Sequence, residues 1–223
     1  MHNLTLLIPA KFESESLPLV LIELRDFDCK KLIVLDEDDT ETINSIKEFD
    51  CEILYQKNSG YGAALIEGIN KIDTSYICIF NADGSFDPKY LKKMLLTCEN
   101  NFDFIFSSRY SKNGGTEDDT LLTFVGNKIF TFIGNFFFKL NIDDILYTFV
   151  MGKAVSFKKL NLKYQDFSFC VELPIKAKRL TMKYENHGSF ERKRFKGKKK
   201  VNEIKDGFLI LKYLIILFFK KFI

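Results

Sequence analysis

Short apolar runs alternate with amphipathic segments through the first half of the chain, and this alternation restricts the fold more than any other feature. The apolar runs have the length and composition of buried strands and cover residues 4–9, 31–35, 52–55, 76–80 and 103–107. The segments between them have helical spacing and cover residues 16–25, 40–49, 62–72 and 88–100. Strands that alternate with helices in this way predict an α/β fold with a mostly parallel sheet flanked by helices.

Length and composition are those of an ordinary globular protein. The chain has 223 residues, 46% of them hydrophobic and 28% charged, which argues against a disordered, collagenous or coiled-coil chain. The net charge is only +3, so any basic surface must be local. Five cysteines without a Cys-x-x-Cys pair and only two histidines argue against a zinc site or a Ser-His-Asp triad. Residues 1–10 lack the pattern of a signal peptide, so we expect a cytoplasmic protein.

Polar and acidic residues follow three of the predicted strands. Glu13 and Glu15 follow the first strand, four acidic residues follow the second at positions 36–39, and the run 81–85 follows the fourth. Solvated loops and helix caps explain any one of these segments. Because ligands of parallel α/β sheets bind at the carboxyl ends of the strands, three such segments at one edge predict a ligand site.

Asp83 is the most informative of these residues. It follows an apolar strand and precedes Gly84, a position from which a carboxylate can bind a hard divalent cation such as Mg²⁺ together with substrate phosphates. A metal there would neutralise a pyrophosphate leaving group.

Two strongly apolar segments lie in the second half. Residues 120–140 look helical and contain six phenylalanines; a buried helix is the simpler explanation, and a membrane-facing or lipid-acceptor surface is the alternative. Residues 208–219 are apolar except for Lys212 and would form a helix of about 18 Å, which is shorter than the ~30 Å hydrocarbon layer of a bilayer. We expect an interfacial helix anchored by lysines, with a core helix as the alternative.

A basic cluster separates these segments. Residues 176–200 contain eleven lysines and arginines against Glu185 and Glu191, and such a cluster attracts phosphate groups. Nucleic-acid binding would favour interleaved aromatic residues. At the most basic segment, residues 192–200, only Phe190 and Phe195 qualify, so we expect no nucleic-acid partner.

Six motifs follow one another along the chain in a fixed order. They are Ile8-Pro9-Ala10 with Glu13, Val34-Leu35-Asp36-Glu37, Gln56 with Gly60, Gly62 and Ala63, Asn81-Ala82-Asp83, Ser108-Arg109-Tyr110, and Glu172-Leu173 followed by Arg194, Gly197 and Lys200. This series, over about residues 4–210, resembles glycosyltransferase family 2, and its last motif resembles the branch that acts on dolichol phosphate and polyprenyl phosphate. The resemblance implies a GT-A fold with a catalytic domain over residues 1–205, and the apolar C-terminal sequence predicts a membrane-interfacial helix over residues 206–223.

The resemblance also implies an inverting transfer from a UDP- or GDP-linked sugar with Mg²⁺ or Mn²⁺ as cofactor. The implied nucleotide-sugar site consists of Pro9, Ala10, Glu13, Asp36, Glu37, Gln56, Gly60, Gly62, Asn81, Ala82 and Asp83. Asp83 would bind the metal, with Asn81 and Ser85 as weaker ligands. Arg109 would lie near the phosphates, and Arg194 with Lys200 would bind the acceptor phosphate or the leaving diphosphate.

The acceptor decides whether a general base is needed. A sugar hydroxyl must lose a proton during transfer, whereas an acceptor phosphate is already an anion. Asp144 is the best base candidate, although it could equally be a loop or capping residue. A polyprenyl phosphate at the cytoplasmic face of a membrane is therefore the principal hypothesis, and a hydroxyl of a cell-surface glycan intermediate is the alternative. Asn81 replaces the usual first aspartate of the metal motif, which leaves an inactive relative as a third hypothesis.

Overall fold

The computed structural model describes residues 1–197, 200 and 202–220. The strands are β1 (Leu4–Pro9), β2 (Lys30–Leu35), β3 (Glu52–Tyr55), β4 (Tyr76–Ile79), β5 (Phe104–Ser108), β6 (Gly115–Thr116), β7 (Val150–Lys153), β8 (Tyr184–Gly188) and β9 (Phe190–Glu191). The α-helices are α1 (Leu17–Glu23), α2 (Thr40–Ser45), α3 (Tyr61–Lys71), α4 (Leu91–Glu99), α5 (Leu121–Phe138), α6 (Ala154–Lys159), α7 (Phe169–Arg179) and α8 (Glu203–Phe219).

Seven strands form the main sheet in the order β3-β2-β1-β4-β7-β5-β8. Neighbouring strands run parallel except β7, which lies antiparallel between β4 and β5. The two short strands β6 and β9 form a separate parallel pair. The predicted α/β fold with a mostly parallel sheet is therefore confirmed, and the strand bounds shift by at most one residue. The antiparallel β7 was not predicted.

The sheet is buried on both faces, as its apolar strands require. In β1, Leu7 belongs to the core on one face, while Leu6 and Ile8 belong to the core on the other. Helices α3, α6 and α7 cover the first face, and α1 and α4 cover the second. The carboxyl ends of β1, β2 and β4 therefore remain open at one edge.

Helix α5 differs from the buried helix that was the simpler explanation of residues 120–140. Its buried residues are Asn127, Thr131 and Gly134, whereas most of its phenylalanines are exposed. The buried-helix prediction is wrong because this helix turns its polar and small side chains inward. By length and composition, α5 is the one helix within the described residues that could cross a membrane, with a mean hydropathy of 1.4.

Helix α8 begins at Glu203, so the predicted domain boundary between residues 205 and 206 falls inside it. Ile210, Leu214 and Leu217 are buried in the same core as α3 and α7. The C-terminal helix therefore packs on the domain along one face, and its other face is exposed. The last three residues of the predicted helix, 221–223, lie outside the described residues.

Candidate active site

A cavity of about 590 Å³ opens at the carboxyl ends of the parallel strands. The predicted site residues that line it are Pro9, Ala10, Glu13, Gln56, Gly60, Asn81, Ala82, Asp83, Ser85, Arg109, Arg194 and Lys200. Most of the predicted site is thus brought to one place, because β1, β4 and β5 end at the same edge of the sheet.

The loop after β4 is held in one conformation around Asp83. The Asp83 Oδ1 atom accepts hydrogen bonds from the Ser85 backbone N–H at 3.0 Å and from the Ser85 hydroxyl at 2.6 Å. The Asn81 side-chain amide donates to the Ser85 hydroxyl at 3.1 Å. Gly84 has a φ of +84°, and a Cβ there would lie 2.3 Å from the Phe195 ring. Glycine therefore allows both the turn and the close approach of Phe195.

The side chains of this loop suit a hard divalent cation that also binds phosphate oxygens. Asp83, Asn81 and Ser85 offer carboxylate, amide and hydroxyl oxygens, which are ligands that Mg²⁺ accepts. Within the described residues, no three His, Cys, Asp or Glu side chains form a group that could hold a metal. A cation here would need phosphate or water oxygens to complete its coordination.

The segment after β9 brings cations over this loop. The Arg192 backbone N–H donates to the Ser85 carbonyl, and the Phe195 N–H donates to the Asp83 carbonyl at 2.8 Å. The Arg194 Nη2 atom lies 3.5 Å from Asp83 Oδ2 and 3.4 Å from Asp118 Oδ2. The basic segment thus packs against the loop of residues 81–85. Lys198 and Lys199 of the predicted cluster lie outside the described residues.

Glu13 is a buried carboxylate at the other side of the cavity. Its Oε2 atom accepts a hydrogen bond from the Ser16 hydroxyl at 2.5 Å, and its Oε1 atom lies 3.4 Å from Lys200 Nζ. Burial raises the pKa of Glu13 above its ordinary value, against the opposing effects of Ser16 and Lys200.

Arg109 lies among three carboxylates. Its guanidinium donates to Asp144 at 2.7 and 3.0 Å, to Asp119 at 3.1 Å and to Glu191 at 3.2 Å. The neighbouring carboxylates hold the pKa of Arg109 above its usual range despite its burial. Arg109 is therefore a permanent cation at the wall of the cavity, and its charge is already compensated.

Asp144 is not placed as a general base. Its side chain is fully buried, it does not line the large cavity, and it accepts hydrogen bonds from Arg109 and from the Asn127 amide. A carboxylate with these partners has no access to a substrate proton. The base prediction is wrong because Asp144 instead holds Arg109 in position.

Three other predicted residues lie outside the cavity wall. Glu37 is exposed, and Asp36 accepts a hydrogen bond from the Gln56 amide and lies 3.7 Å from Lys11 Nζ. Asp36 therefore contacts Gln56 and Lys11, which line the cavity, and does not line it itself. A Cβ on Gly62 would lie 2.1 Å from the Tyr164 carbonyl oxygen, so this glycine allows close packing of the chain and not access to a nucleotide.

Several lining residues were missed by sequence reasoning. The most prominent are Phe12, Tyr61, Asp118, Asp119, Phe167 and Glu191. Asp118, Asp119 and Glu191 lie far in sequence from the five predicted strands, since Asp118 and Asp119 follow β6 and Glu191 ends β9, so only their acidic character could have indicated them. Burial raises the pKa of Glu191 above its ordinary value, with Arg109 and the Thr116 hydroxyl opposing the shift.

Phe12 lies at the cavity with its ring 66% exposed. Its backbone φ is +52°, in the left-handed region that residues other than glycine seldom adopt. The Asp39 carboxylate accepts a hydrogen bond from the Phe12 N–H at 2.7 Å, and Lys200 donates to the Phe12 carbonyl at 3.3 Å. These contacts hold the ring out at the cavity wall, where it could contact a flat ligand group.

The cavity therefore combines an oxygen-rich loop, four basic side chains and an apolar end. The basic side chains are Lys11, Arg109, Arg194 and Lys200. At the apolar end, the Tyr61 and Phe167 rings stack with their centroids 4.9 Å apart. Such a site suits a ligand with a diphosphate and a flat or apolar part.

Comparison with known proteins gives a family match. The model of glycosyl transferase family 2 matches residues 5–160. An uncharacterized glycosyltransferase of Mycobacterium bovis and one of Mycobacterium tuberculosis are each 26% identical to this chain over 105 residues. These matches cover 47% of this chain and 48% of the relative, so the chain spans about half the length of the curated relatives it matches.

Solved structures show the same fold. Glucosyl-3-phosphoglycerate synthase from Mycobacterium tuberculosis, in complex with Mn²⁺, UDP and glucosyl-3-phosphoglycerate, superposes with a TM-score of 0.74 at 10% identity. The alignment covers 96% of this chain and 79% of that chain. The same enzyme with Mg²⁺ and UDP gives a TM-score of 0.68 at 12% identity, over 96% and 78% of the two chains. At this identity the similarity shows a shared GT-A fold.

Proposed function

This chain belongs to glycosyl transferase family 2, and we propose that it transfers a sugar from a nucleotide-diphosphate sugar to the phosphate of a polyprenyl-type lipid. Asp83, with Asn81 and Ser85, would hold Mg²⁺ or Mn²⁺. When bound, this cation would neutralise the charge that develops on the leaving nucleoside diphosphate. Solved structures of similar fold contain Mn²⁺ or Mg²⁺ with UDP, which supports the metal and a UDP-linked donor.

The observation that carries the proposal is the pairing of charges in the cavity. Each carboxylate that lines it within the described residues lies within 4 Å of an arginine or lysine nitrogen. The pairs are Glu13 with Lys200, Asp83 and Asp118 with Arg194, and Asp119 and Glu191 with Arg109. Within the described residues, a lining carboxylate would have to leave its cation before it could take a proton from a hydroxyl, so this charge arrangement favours an acceptor that is already an anion.

Arg194 and Lys200 then have a direct role. With Asp83 holding the metal, the Arg194 guanidinium, now 3.5 Å from this carboxylate, would be available to bind the phosphates. Arginine binds phosphate oxygens in a bidentate manner, which fixes their orientation. Lys200 lies across the cavity at Glu13 and would supply a second cation for the acceptor phosphate.

Sugar transfer into lipid tests this proposal. Purified protein is incubated with Mg²⁺ or Mn²⁺, a panel of UDP- and GDP-sugars and undecaprenyl phosphate, and radiolabelled sugar is counted in the organic phase. We expect transfer by the wild type and by Asp73→Asn, an exposed carboxylate variant, and a loss of at least a hundredfold in Asp83→Ala. A parallel incubation with phosphoglyceric acid replaces the lipid, and product there without lipid product would reject the lipid acceptor. Donor binding without any transfer would indicate an inactive relative.

A hydroxyl acceptor is the second candidate function, and Glu191 is the observation that favours it. Glu191 lines the cavity and its pKa is raised by burial, which is typical of a group that exchanges protons in a cleft. If a glycan hydroxyl is the acceptor, Glu191→Gln should lower kcat at least a hundredfold and leave donor binding unchanged. Unchanged kcat in Glu191→Gln would exclude this role.

We further propose that the protein associates peripherally with the cytoplasmic face of a membrane. A polyprenyl phosphate is confined to a bilayer, so an enzyme that uses it must reach the headgroup region. Co-fractionation of the full chain with membranes, and its release by high salt or alkaline carbonate, would support a peripheral location.

A further inference from the structure

Helix α5 has the reverse of the polarity that water-exposed helices have. Its inward-facing Asn127 amide donates to Asp144, and its Thr131 hydroxyl donates to Asn127 at 3.1 Å and accepts from the Ile145 N–H. On its outward face, the side chains of Phe132 and Phe136 are each 65% exposed. The arrangement buries polar groups in the protein and presents aromatic rings outward.

Helix α8 extends this apolar surface. The Phe137 ring of α5 contacts the Phe218 ring of α8, with centroids 5.5 Å apart. Of the 21 exposed large hydrophobic side chains in the described residues, eight lie on α5 and six on α8. Two thirds of the exposed apolar side chains are therefore concentrated on two adjacent helices, which marks an interaction surface.

Lysines predominate among the charges of the two helices, while Glu117, Asp118 and Asp119 precede α5 on the side of the cavity. Lys128, Lys139, Lys205, Lys212 and Lys220 are exposed on or at the ends of the two helices. The acidic residues of these helices are confined to the first turn of α8, at Glu203 and Asp206. Apolar rings flanked by lysines complement acyl chains beneath anionic headgroups.

The surface begins two residues after the cavity wall. Asp118 and Asp119 line the cavity, Thr120 caps α5, and the next residue, Leu121, is 80% exposed. A lipid whose chain lies along α5 would therefore have its phosphate near the cavity.

We propose that the exposed faces of α5 and α8 form one docking surface that lies in the interface of an anionic bilayer, with both helices in the membrane plane. Helix α5 does not cross the bilayer, because its Asn127 and Thr131 side chains are bonded to the catalytic domain. This inference rests on the peripheral location proposed above.

The absence of tryptophan from the sequence allows a single reporter to be placed on the surface. Phe132→Trp puts the reporter on α5, and Leu96→Trp puts a matched reporter on α4, where Leu96 is 53% exposed. With vesicles of phosphatidylglycerol and phosphatidylcholine, we expect the Phe132→Trp emission to shift to the blue and to be quenched by brominated acyl chains. The Leu96→Trp emission should do neither.

Substitution of exposed phenylalanines on the two helices is a second test of the docking surface. A triple variant, Phe132→Ser with Phe136→Ser and Phe208→Ser, should reduce sedimentation with anionic vesicles at least tenfold, since each lost ring removes buried apolar area. Leu19→Ser with Leu96→Ser and Val155→Ser, at exposed positions elsewhere, should sediment as the wild type does. Circular dichroism confirms that both variants are folded.

Three results would overturn the inference. They are no binding of the wild type to anionic vesicles, equal binding to pure phosphatidylcholine vesicles, and a dimer in light scattering that the triple variant dissociates while vesicle binding is unchanged. The last result would assign the surface to a second copy of the chain. Vesicle binding is measured without donor or metal, so failure of the transferase proposal would leave these results unaffected.

Discussion

Arg109 and its three carboxylate partners are the most connected group of charges in the site. Asp144 lies beneath Arg109, while Asp119 and Glu191 contact it at the cavity wall. A buried arginine must keep such partners, because an unpaired buried charge is costly. Asp144 therefore contributes to the site through the position of Arg109.

Asp144→Asn should lower stability more than any change in a nearby exposed carboxylate. The substitution removes a buried charge from a bidentate pair, and we expect the free energy of unfolding to fall by about 2 kcal/mol. Urea unfolding measures this, with the exposed neighbour Asp143→Asn as control. If Asp144→Asn left the free energy of unfolding unchanged, the assignment of Asp144 as the buried partner of Arg109 would be wrong.

Glu191 should give the folded protein a characteristic pH dependence. Its carboxyl has a raised pKa in the folded chain, so between the ordinary value of 4.5 and the folded value, folding takes up a proton. The contribution of this group to stability therefore falls as the pH rises through that window, and the loss is complete above the folded pKa.

The expected result is a difference between the wild type and Glu191→Gln. The free energy of unfolding of the wild type, minus that of Glu191→Gln, should decrease as the pH rises above 4.5. Urea titrations from about pH 4.5 to about pH 7.5 measure it, and Glu185→Gln on the exposed part of β8 is the control. A difference that stays constant with pH would contradict the raised pKa.

At the scale of elements, the start of α3 is held by close packing against the segment 164–166. The Ala63 N–H donates to the Gln165 carbonyl at 3.0 Å. Gly60 has a φ of +131°, and a Cβ on it would lie 2.2 Å from the Gln165 oxygen. This packing brings Tyr61 against Phe167 and so forms the apolar end of the cavity.

Gly62→Ala and Gly126→Ala should therefore have opposite effects. A Cβ added to Gly62 would meet backbone oxygens at 2.1 and 2.7 Å, so we expect a loss of about 2 kcal/mol in the free energy of unfolding. Nothing lies within 4 Å of a Cβ on Gly126 in α5, and alanine there should stabilise by roughly 0.5–1 kcal/mol. Urea unfolding of both variants checks the pair, and equal effects would contradict the packing at α3.

At the scale of the whole molecule, distant parts of the chain meet in the cavity. Glu13 follows β1, Asp83 follows β4, and Arg194 with Lys200 comes from the C-terminal segment. A ligand that contacts all of them would connect the two ends of the folded chain and stabilise the fold as a whole.

Donor products should therefore raise the melting temperature. With UDP and Mn²⁺ at about 100 times the Kd, the gain is about 2.7 kcal/mol, or roughly 5–10 °C for a chain of this size. Differential scanning fluorimetry measures the shift, and Asp73→Asn should behave as the wild type. An equal shift in Asp83→Asn would show that Asp83 does not hold the metal.

The sequence was sufficient to predict the parallel half of the fold and about half of the cavity wall. Five strands were predicted because their apolar runs are short and bounded, and the residues after β1 and β4 reached the cavity because strand ends define an edge. The antiparallel strand β7 was missed, since its direction depends on the long connection from β5 that includes α5. Asp144 was misassigned because the sequence does not show which carboxylates an arginine will form ion pairs with.

The sequence by itself determined the α/β class, the family resemblance and the position of Asp83, because strand periodicity and motif order are local properties of the chain. Tertiary structure alone decided the partners of Arg109, the pairing of Arg194 with Asp83, and the outward orientation of the phenylalanines of α5. Each of these depends on which residues meet across a long separation in sequence. An apolar helix has the same composition whether its rings face a core or face outward, and only the polar contacts of Asn127 and Thr131 settle the direction.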